Sequence, residues 1–232
     1  NRKSAGFCVF HKGTHLILRQ NVPLAVVGVN GVLAPAVAVL DLLGVALVVL
    51  QGAVDQHFVT NGGLVGHRVE LLRTVGDPRA RFREDALRIL RGARFSARFR
   101  LAPEPSTLVA MIDLAPLLDK IARERVFEEL CKLLLSATAE DLLMFTPLLT
   151  QVIPELKRSV GFEQHSPHHR YDVFTHTAHV VEAVPKVPEL RWAALLHDIG
   201  KPDAFTMDET GRGHFKGHAK FSQEQADRIL LR

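Results

Sequence analysis

The sequence contains little cysteine and, apart from phenylalanine, few aromatic residues. Its 232 residues include two cysteines, one tryptophan and one tyrosine. Because Cys8 and Cys131 lie far apart, the sequence has neither a disulfide framework nor the cysteine spacing of a zinc site. We therefore expect a protein of a reducing compartment, the cytoplasm.

The printed sequence does not begin with methionine, and we expect no secretory signal peptide. Arg2 and Lys3 precede polar and mixed residues instead of a compact apolar stretch with a small-residue cleavage site. We expect the printed sequence to be a fragment of a longer chain. Its net charge of +4 is compatible with a polyanionic partner, and an apolar content of 47% is sufficient for a folded core.

Acidic residues are nearly absent from the first 69 residues, where only Asp41 and Asp55 occur. Residues 22–50 are mostly Val, Leu and Ala, and they keep neither the period of a strand nor that of a helix. Three interpretations of residues 1–61 stay open: a shifted reading frame of a GC-rich gene, a buried strand-rich core, or a membrane segment within residues 22–50. We expect no membrane association, and the fold of this part is uncertain.

From Glu70 onward, apolar residues recur at helical spacings of three and four, and prolines fall mainly between the periodic segments. The sequence therefore predicts a mainly α fold for this part. The predicted helices cover Asp85–Phe99, Pro105–Leu118, Ala122–Ser136, Ala139–Leu149, Val173–Val184, Leu190–His197 and Ser222–Leu231.

A carboxylate and two guanidinium groups share one face of the first predicted helix. Asp85, Arg88 and Arg91 are spaced by three residues. A carboxylate beside a guanidinium group offers hydrogen-bond acceptors next to a rigid fork of donors, so the two together can read the Watson–Crick edge of a base. On spacing alone, a solvated helix face with an ordinary ion pair is the competing interpretation.

The residues around this helix resemble the bacterial class II tRNA nucleotidyltransferases, the family of CCA-adding enzymes and related poly(A) polymerases. Its E-D-x-x-R motif matches Glu84, Asp85 and Arg88. The resemblance implies that Asp85 and Arg88 form a protein template that selects CTP or ATP, and we place Glu84 and Arg91 in the same nucleotide-binding site. Further matches are Val75–Pro78, Arg81–Phe82, Arg94–Phe95 and the E-R-x-x-x-E-L element at Glu124–Leu130.

The resemblance covers roughly residues 62–232, and the catalytic part of the family is missing from it. Nucleotidyl transfer needs carboxylates that hold Mg²⁺ on the triphosphate. The family supplies them in G-G-x-V-R-D and D-x-D motifs, neither of which occurs before residue 62. We therefore predict that this chain cannot transfer nucleotides alone.

Histidine and aspartate residues form a second candidate site. His176 lies on one predicted helix, and His197-Asp198 ends another, followed by Gly200-Lys201. Imidazole and carboxylate ligands together suit Mn²⁺, Ni²⁺, Fe²⁺, Zn²⁺ or Mg²⁺. A lone histidine such as His165, His169 or His179 is better explained as a surface or hydrogen-bonded residue.

This second cluster is similar to the signature of the HD phosphohydrolase superfamily. The resemblance implies metal ligands at His176, His197 and Asp198, a further ligand at His218, a weaker one at His214, and a phosphate contact from Lys201 as the catalytic group. The run Gln164–His169 also resembles the nucleotidyltransferases that carry an HD domain. The closing aspartate of the signature is expected beyond Arg232, so the ligand set is incomplete.

We thus expect three parts: an anomalous segment over 1–61, a helical neck over 62–150 that binds RNA and nucleotide, and an HD domain over 155–232. The expected partners are a tRNA 3′ end and the substrates ATP and CTP. The expected cofactors are Mg²⁺ for nucleotidyl transfer and Mn²⁺, Ni²⁺ or Mg²⁺ in the HD site. Two alternatives stay open: a stand-alone HD phosphohydrolase and a non-catalytic RNA-binding module.

Overall fold

The structure is a computed structural model that describes residues 37–41, 46–50, 59–60, 63–64, 71–166 and 170–231. Helices dominate these residues, which confirms the prediction of a mainly α fold. The α-helices are α1 (Pro78–Glu84), α2 (Leu87–Phe99), α3 (Pro105–Asp113), α4 (Arg123–Ser136), α5 (Ala139–Met144), α6 (Thr146–Val152), α7 (Val173–Ala183), α8 (Pro188–Leu196), α9 (Lys201–Ala204) and α10 (His218–Leu230).

Short strands precede and interrupt the helices. They are β1 (Val37–Asp41), β2 (Ala46–Leu50), β3 (Val59–Thr60), β4 (Gly63–Leu64), β5 (Leu71–Thr74), β6 (Ala102–Pro103), β7 (Thr206–Met207) and β8 (Gly213–His214). One sheet has the order β1-β2-β5-β6, with antiparallel pairs except for the parallel pair of β5 and β6. Residues 1–36 lie outside the described residues, so the three interpretations of residues 1–61 stay open.

Proline fixes where several helices begin. Residues Pro105, Pro147 and Pro188 occupy the first turn of α3, α6 and α8, where a missing N–H costs no hydrogen bond. Pro147 also explains why the helix predicted over Ala139–Leu149 is divided into α5 and α6. Likewise, the helix predicted over Pro105–Leu118 stops at Asp113 and gives way to a 3₁₀ helix over Ala115–Lys120.

A single hydrophobic core extends across the boundary predicted between residues 150 and 155. It contains Leu90 of α2, Leu133 of α4, Val181 of α7 and Leu195 of α8, all of them buried. Across this core the indole N–H of Trp192 donates to the Sγ atom of Cys131, 3.1 Å away. The helices of the neck therefore support those that carry the histidines.

No helix in the described part of the chain has the length and apolar character needed to cross a membrane.

Candidate metal centre and nucleotide-recognition element

Three helix ends meet around Asp198. His176 lies in the first turn of α7, His197 ends α8, and His218 begins α10. The start of α7 is fixed by Asp172, whose carboxylate accepts hydrogen bonds from the backbone N–H groups of Phe174 and Thr175. The helix predicted to begin at Ser222 begins four residues earlier, which brings His218 onto α10 and into the site.

Gly200 allows α10 to approach this site closely. A Cβ atom on Gly200 would lie 2.3 Å from the backbone nitrogen of Ser222 and 2.6 Å from the carbonyl carbon of Phe221. The backbone N–H of Gly200 donates to the Ser222 hydroxyl, 3.0 Å away. Only glycine therefore fits between the end of α8 and the first turns of α10.

The buried Asp198 carboxylate is the centre of the cluster. Its Oδ2 atom lies 3.0 Å from Nε2 of His197 and 3.7 Å from Nε2 of His176. Its Oδ1 atom lies 3.4 Å from Nε2 of His218. Ligand atoms of His176, His197 and Asp198 all lie within 4.8 Å of one another, which is close enough for one ion to bind all three.

The hydrogen bonds of the histidines leave their Nε2 atoms available as ligands. Nδ1 of His197 lies 2.8 Å from the carbonyl oxygen of Ala194, and Nδ1 of His218 lies 2.8 Å from that of Phe215. A carbonyl only accepts, so each Nδ1 donates its proton there, and Nε2, which faces Asp198, is the ring atom that can lose its proton and bind a metal ion. This arrangement is the usual support of a metal-binding histidine.

Charge around Asp198 shifts two pKa values in opposite directions. Burial alone would raise the pKa of Asp198, but hydrogen bonds from His197 and Lys201 lower it well below its usual range. Burial alone would lower the pKa of His197, but its bonds to Asp198 and to the Ala194 carbonyl raise it. The carboxylate is thus ionised at neutral pH, as a metal ligand must be.

The residues present fit a divalent metal ion. Two or three imidazole nitrogens and one carboxylate form a mixed donor set of the kind that Mn²⁺, Ni²⁺, Fe²⁺ or Zn²⁺ takes, and it is poor in oxygen for Ca²⁺. The structure brings together the predicted ligands His176, His197, Asp198 and His218. Their role as ligands stays a prediction.

Lys201 has a buried environment that the sequence did not indicate. Its Nζ atom lies 2.8 Å from Oδ2 of Asp198 and donates to Oε1 of Gln164, 2.7 Å away. Only 7% of its side chain is exposed. The predicted contact with a substrate phosphate stays a prediction, and what the structure shows is an ammonium group held against Asp198.

Other histidines lie apart from this cluster. Nε2 of His214 lies 2.6 Å from Asp208 on the β7–β8 hairpin, and the His179 ring stacks on Tyr171. The hydrogen bond from Thr210, with those from His214 and the backbone of Arg212, lowers the pKa of Asp208. His168 and His169 lie outside the described residues.

The structure of the E-D-x-x-R motif differs from the helix predicted over Asp85–Phe99. Asp85 does not lie on a helix: it follows α1 with an extended backbone, and its Oδ1 atom accepts from the N–H of Leu87 at the start of α2. Helix α1 ends at Glu84, just before Asp85. The Asp85 carboxylate competes for the backbone N–H of Leu87, as aspartate does at helix starts. The shared helix face predicted for Asp85, Arg88 and Arg91 is therefore wrong.

Glu84 binds Arg88 of this motif and Arg81, which precedes the motif. Its Oε2 atom accepts from Nη1 of Arg88 and from Nη1 of Arg81, each 2.6 Å away. The hydrogen bond from Arg88 lowers the pKa of Glu84. Asp85 precedes α2 and Arg88 lies in the first turn of that helix. Their role as a nucleotide template stays a prediction.

Arg91 has a structural partner on another helix. Its Nε atom lies 3.6 Å from the buried carboxylate of Glu129 on α4, which also lies 2.7 Å from Nε of Arg94. Spacing along one helix groups Arg91 with the predicted nucleotide ligands Asp85 and Arg88. The contact with Glu129 depends on how α2 packs against α4, and no local signal predicts it.

Comparison with known proteins gives a match in the neck and another around the metal centre. Residues 99–159 match the family described as "Probable RNA and SrmB- binding site of polymerase A", and residues 168–232 match the HD domain. The A-adding tRNA nucleotidyltransferase of Deinococcus radiodurans is 36% identical over 186 residues. That alignment covers 74% of this chain and 42% of the relative.

These matches support a relationship of the chain to the class II tRNA nucleotidyltransferases. A CCA-adding enzyme of Streptococcus gordonii is 48% identical over 91 residues, covering 38% of this chain and 23% of the relative. The Multifunctional CCA protein of Halorhodospira halophila is 35% identical over 183 residues, covering 74% and 43%. The chain thus spans less than half the length of these relatives.

A solved member of the family, the Bacillus stearothermophilus CCA-adding enzyme in complex with CTP, aligns with 69% of this chain and 36% of that one. The identity is 26% and the TM-score is 0.41.

Proposed function

We propose that this chain is the part of a tRNA nucleotidyltransferase that binds the tRNA 3′ end and selects CTP or ATP, joined to an HD domain that holds a divalent metal. The similarity to the A-adding tRNA nucleotidyltransferase over 186 residues carries this proposal. A tRNA partner implies a cytoplasmic location. Mg²⁺ serves the nucleotidyl transfer of the whole enzyme.

Exposed basic residues near α2 support the tRNA part of the proposal. Arg98 lies on the last turn of α2 and is exposed, with its guanidinium 5.6 Å from the centre of the Phe99 ring. By contrast, Arg91 and Arg94 are each engaged by Glu129. Arg98 is therefore the better candidate for a phosphate contact, and recognition of a folded RNA relies mainly on its shape and backbone.

Binding of the 232-residue chain to a tRNA that lacks its 3′ CCA tests this part. We expect affinity to fall steeply between about 50 and about 200 mM salt, because phosphate contacts release counterions. Arg98→Ala should reduce the salt slope by about one. The matched control is Lys186→Ala, an exposed cation between α7 and α8, which should leave the slope unchanged. Affinity that does not depend on salt would contradict the proposal.

We also propose that the chain alone does not add nucleotides, since the carboxylates of the catalytic head do not occur before residue 62. Incubation of the purified chain with truncated tRNA, CTP and ATP should yield no extended product. Extension of the tRNA by one or more nucleotides would contradict this.

The cluster around Asp198 favours a second activity, metal-dependent hydrolysis of a phosphomonoester or a 2′,3′-cyclic phosphate. A bound divalent ion supplies an activated water and neutralises phosphate charge. The chain's own residues orient that chemistry: His176, His197 and His218 offer nitrogen ligands, and Asp198 offers a carboxylate that is already ionised.

Isothermal titration with Mn²⁺ and Ni²⁺ tests the metal site separately from any activity. We expect the wild-type chain to bind one ion per chain, and His197→Ala and Asp198→Ala to lose binding. His179→Ala is the matched control, because this histidine stacks on Tyr171 outside the cluster. Binding that survives Asp198→Ala would place the ion elsewhere and contradict the assignment.

A further inference from the structure

A buried glutamine lies behind the metal centre. Gln164 precedes α7, is 3% exposed, and is joined to the cluster through Lys201. Gln164 opens the run that resembles the nucleotidyltransferases with an HD domain, but that resemblance assigns no role to its side chain. Its surroundings nevertheless determine which way each of its polar atoms must point.

The hydrogen bonds of Gln164 leave only one orientation for its amide. The Nε2 atom lies 3.0 Å from the carbonyl oxygen of Tyr171, which can only accept. The Oε1 atom lies 2.7 Å from Nζ of Lys201, which can only donate. Exchanging the two amide atoms would place donor against donor and acceptor against acceptor, so the glutamine is a fixed acceptor for the ammonium group.

The backbone of Gln164 is held just as firmly. A Cβ atom on Gly213 would lie 2.5 Å from the carbonyl oxygen of Gln164, so β8 packs directly against this segment. The N–H of Gly213 donates to the carbonyl of His165, 2.8 Å away. Strand β8 thus fixes the position from which the amide reaches Lys201.

The Lys201 ammonium is shared between two acceptors. Nζ lies 2.8 Å from Oδ2 of Asp198 and 2.7 Å from Oε1 of Gln164, and the Phe215 ring centre is 5.3 Å away. We propose that Gln164 is a positioning residue of the metal centre: it holds the Lys201 ammonium beside Asp198, so that the carboxylate keeps lone pairs directed at the ion. This inference rests on the metal site proposed above.

Loss of the amide would change how Lys201 binds Asp198. A buried ammonium that loses one acceptor seeks another, because an unsatisfied buried charge is costly. The remaining acceptor is the Asp198 carboxylate, whose oxygens the ion needs. Without Gln164, therefore, the lysine and the metal compete more strongly for the same carboxylate, and groups that orient ligands from behind typically contribute about 10- to 100-fold to metal affinity.

Isothermal titration of the 232-residue chain with Mn²⁺, in a double-mutant cycle, tests this role. Gln164→Met keeps the length of the side chain and removes its polar atoms, and we expect it to weaken Mn²⁺ binding about tenfold. In the Lys201→Met background the same change should alter affinity by less than about twofold, because Gln164 acts through the ammonium. A merely structural role would give the same loss in both backgrounds.

The matched control is Gln225→Met. Gln225 is also a buried glutamine, but its Nε2 atom donates to Asp203, 2.6 Å away, and in the described part of the chain it makes no hydrogen bond to Lys201 or Asp198. It should leave Mn²⁺ affinity unchanged. If Gln164→Met does not fold, Gln164→Asn, whose amide ends one methylene short of the ammonium, replaces it and should weaken binding in the same direction.

Three results would overturn the inference. Equal Mn²⁺ affinity in wild type and in Gln164→Met would show that the amide does not position Lys201. If His197→Ala still loses Mn²⁺ binding in that case, the metal site proposed above would stand without this role for Gln164. An equal loss in both Lys201 backgrounds would assign Gln164 a purely structural role. A wild-type chain that binds neither Mn²⁺ nor Ni²⁺ would remove the metal site and this inference together.

Discussion

The carboxylate of Glu129 on α4 lies 2.7 Å from the Nε atom of Arg94 on α2, and both side chains are largely buried. Arg91 and Lys132 lie within 4 Å of the same carboxylate. Burial lowers the pKa of Arg94, and the Glu129 charge opposes that shift. A single acid thus holds together the cationic faces of the two helices that join the nucleotide motif to the rest of the neck.

Removal of this acid should destabilise the protein strongly. Glu129→Ala leaves Arg91 and Arg94 without the carboxylate that they share, and a buried charge that loses its partner costs about 3–5 kcal/mol. The neighbouring Glu128→Ala is the matched control, because its pair with Lys132 is exposed and should contribute less than about 1 kcal/mol. Urea unfolding of both variants measures the difference, and similar midpoints would contradict the prediction.

Gly200→Ala should loosen α10 from the end of α8. The added Cβ would meet the backbone of Ser222 at 2.3 Å, and His218 lies on the same helix as Ser222, so a shift of α10 would move His218 relative to Asp198. We expect a loss of about 1–3 kcal/mol in unfolding free energy, the usual cost of overpacking, together with weaker Mn²⁺ binding.

The control for this variant is Gly92→Ala on α2. The added methyl would lie 3.3 Å from the terminal carbon of Met111, a flexible side chain that can adjust. Alanine also favours a helix interior by up to about 1 kcal/mol. Thermal unfolding should therefore show Gly92→Ala near or above wild type and Gly200→Ala well below it. The reverse order would show that the close approach at Gly200 is not a constraint.

The start of α5 depends on a reciprocal cap. The Thr138 hydroxyl accepts from the N–H of Asp141, and the Asp141 carboxylate accepts from the N–H of Thr138. Thr138→Ala should cost about 1 kcal/mol. Ser136→Ala is the control, since its hydroxyl only donates back to the Lys132 carbonyl within α4 and should change stability by less than about 0.5 kcal/mol. Equal denaturation midpoints for wild type and Thr138→Ala would contradict the role of the cap.

Local patterns predicted the helices well and their contacts poorly. Apolar spacing located the helical segments, and the signature His197-Asp198 with His176 predicted the cluster that the structure assembles. The same reasoning placed Asp85 inside a helix, because periodicity does not register a side chain that takes the N–H of Leu87. Nor does periodicity along α4 show that Glu129 turns inward to Arg94 of α2.

Contacts between distant segments explain what the sequence did not predict. The HD resemblance implies a phosphate contact for Lys201 but gives no sign of its acceptor Gln164, which lies 37 residues earlier in the chain. The approach of α10 to Gly200 likewise depends on packing across 22 residues. Such contacts follow from the tertiary arrangement, which no periodicity in the sequence describes.

Asp85 offers a way to separate nucleotide recognition from folding. Its carboxylate accepts from the N–H of Leu87 at 3.1 Å, so Asp85→Ala should destabilise α2 by about 1 kcal/mol. Asp85→Asn keeps an acceptor oxygen for that N–H and should stay within about 0.5 kcal/mol of wild type. It replaces the other oxygen by an NH₂ donor, and thereby alters the pattern that the side chain can present to a base edge beside Arg88.

Titration of the chain with CTP, ATP, GTP and UTP measures the consequence. If Asp85 and Arg88 form the nucleotide template, the wild-type chain should favour CTP and ATP, and Asp85→Asn should lose this preference while its thermal unfolding stays unchanged. Arg83→Leu, an exposed change on α1, should leave both properties intact. A preference that survives Asp85→Asn would exclude Asp85 from base recognition and leave it only its contact at the start of α2.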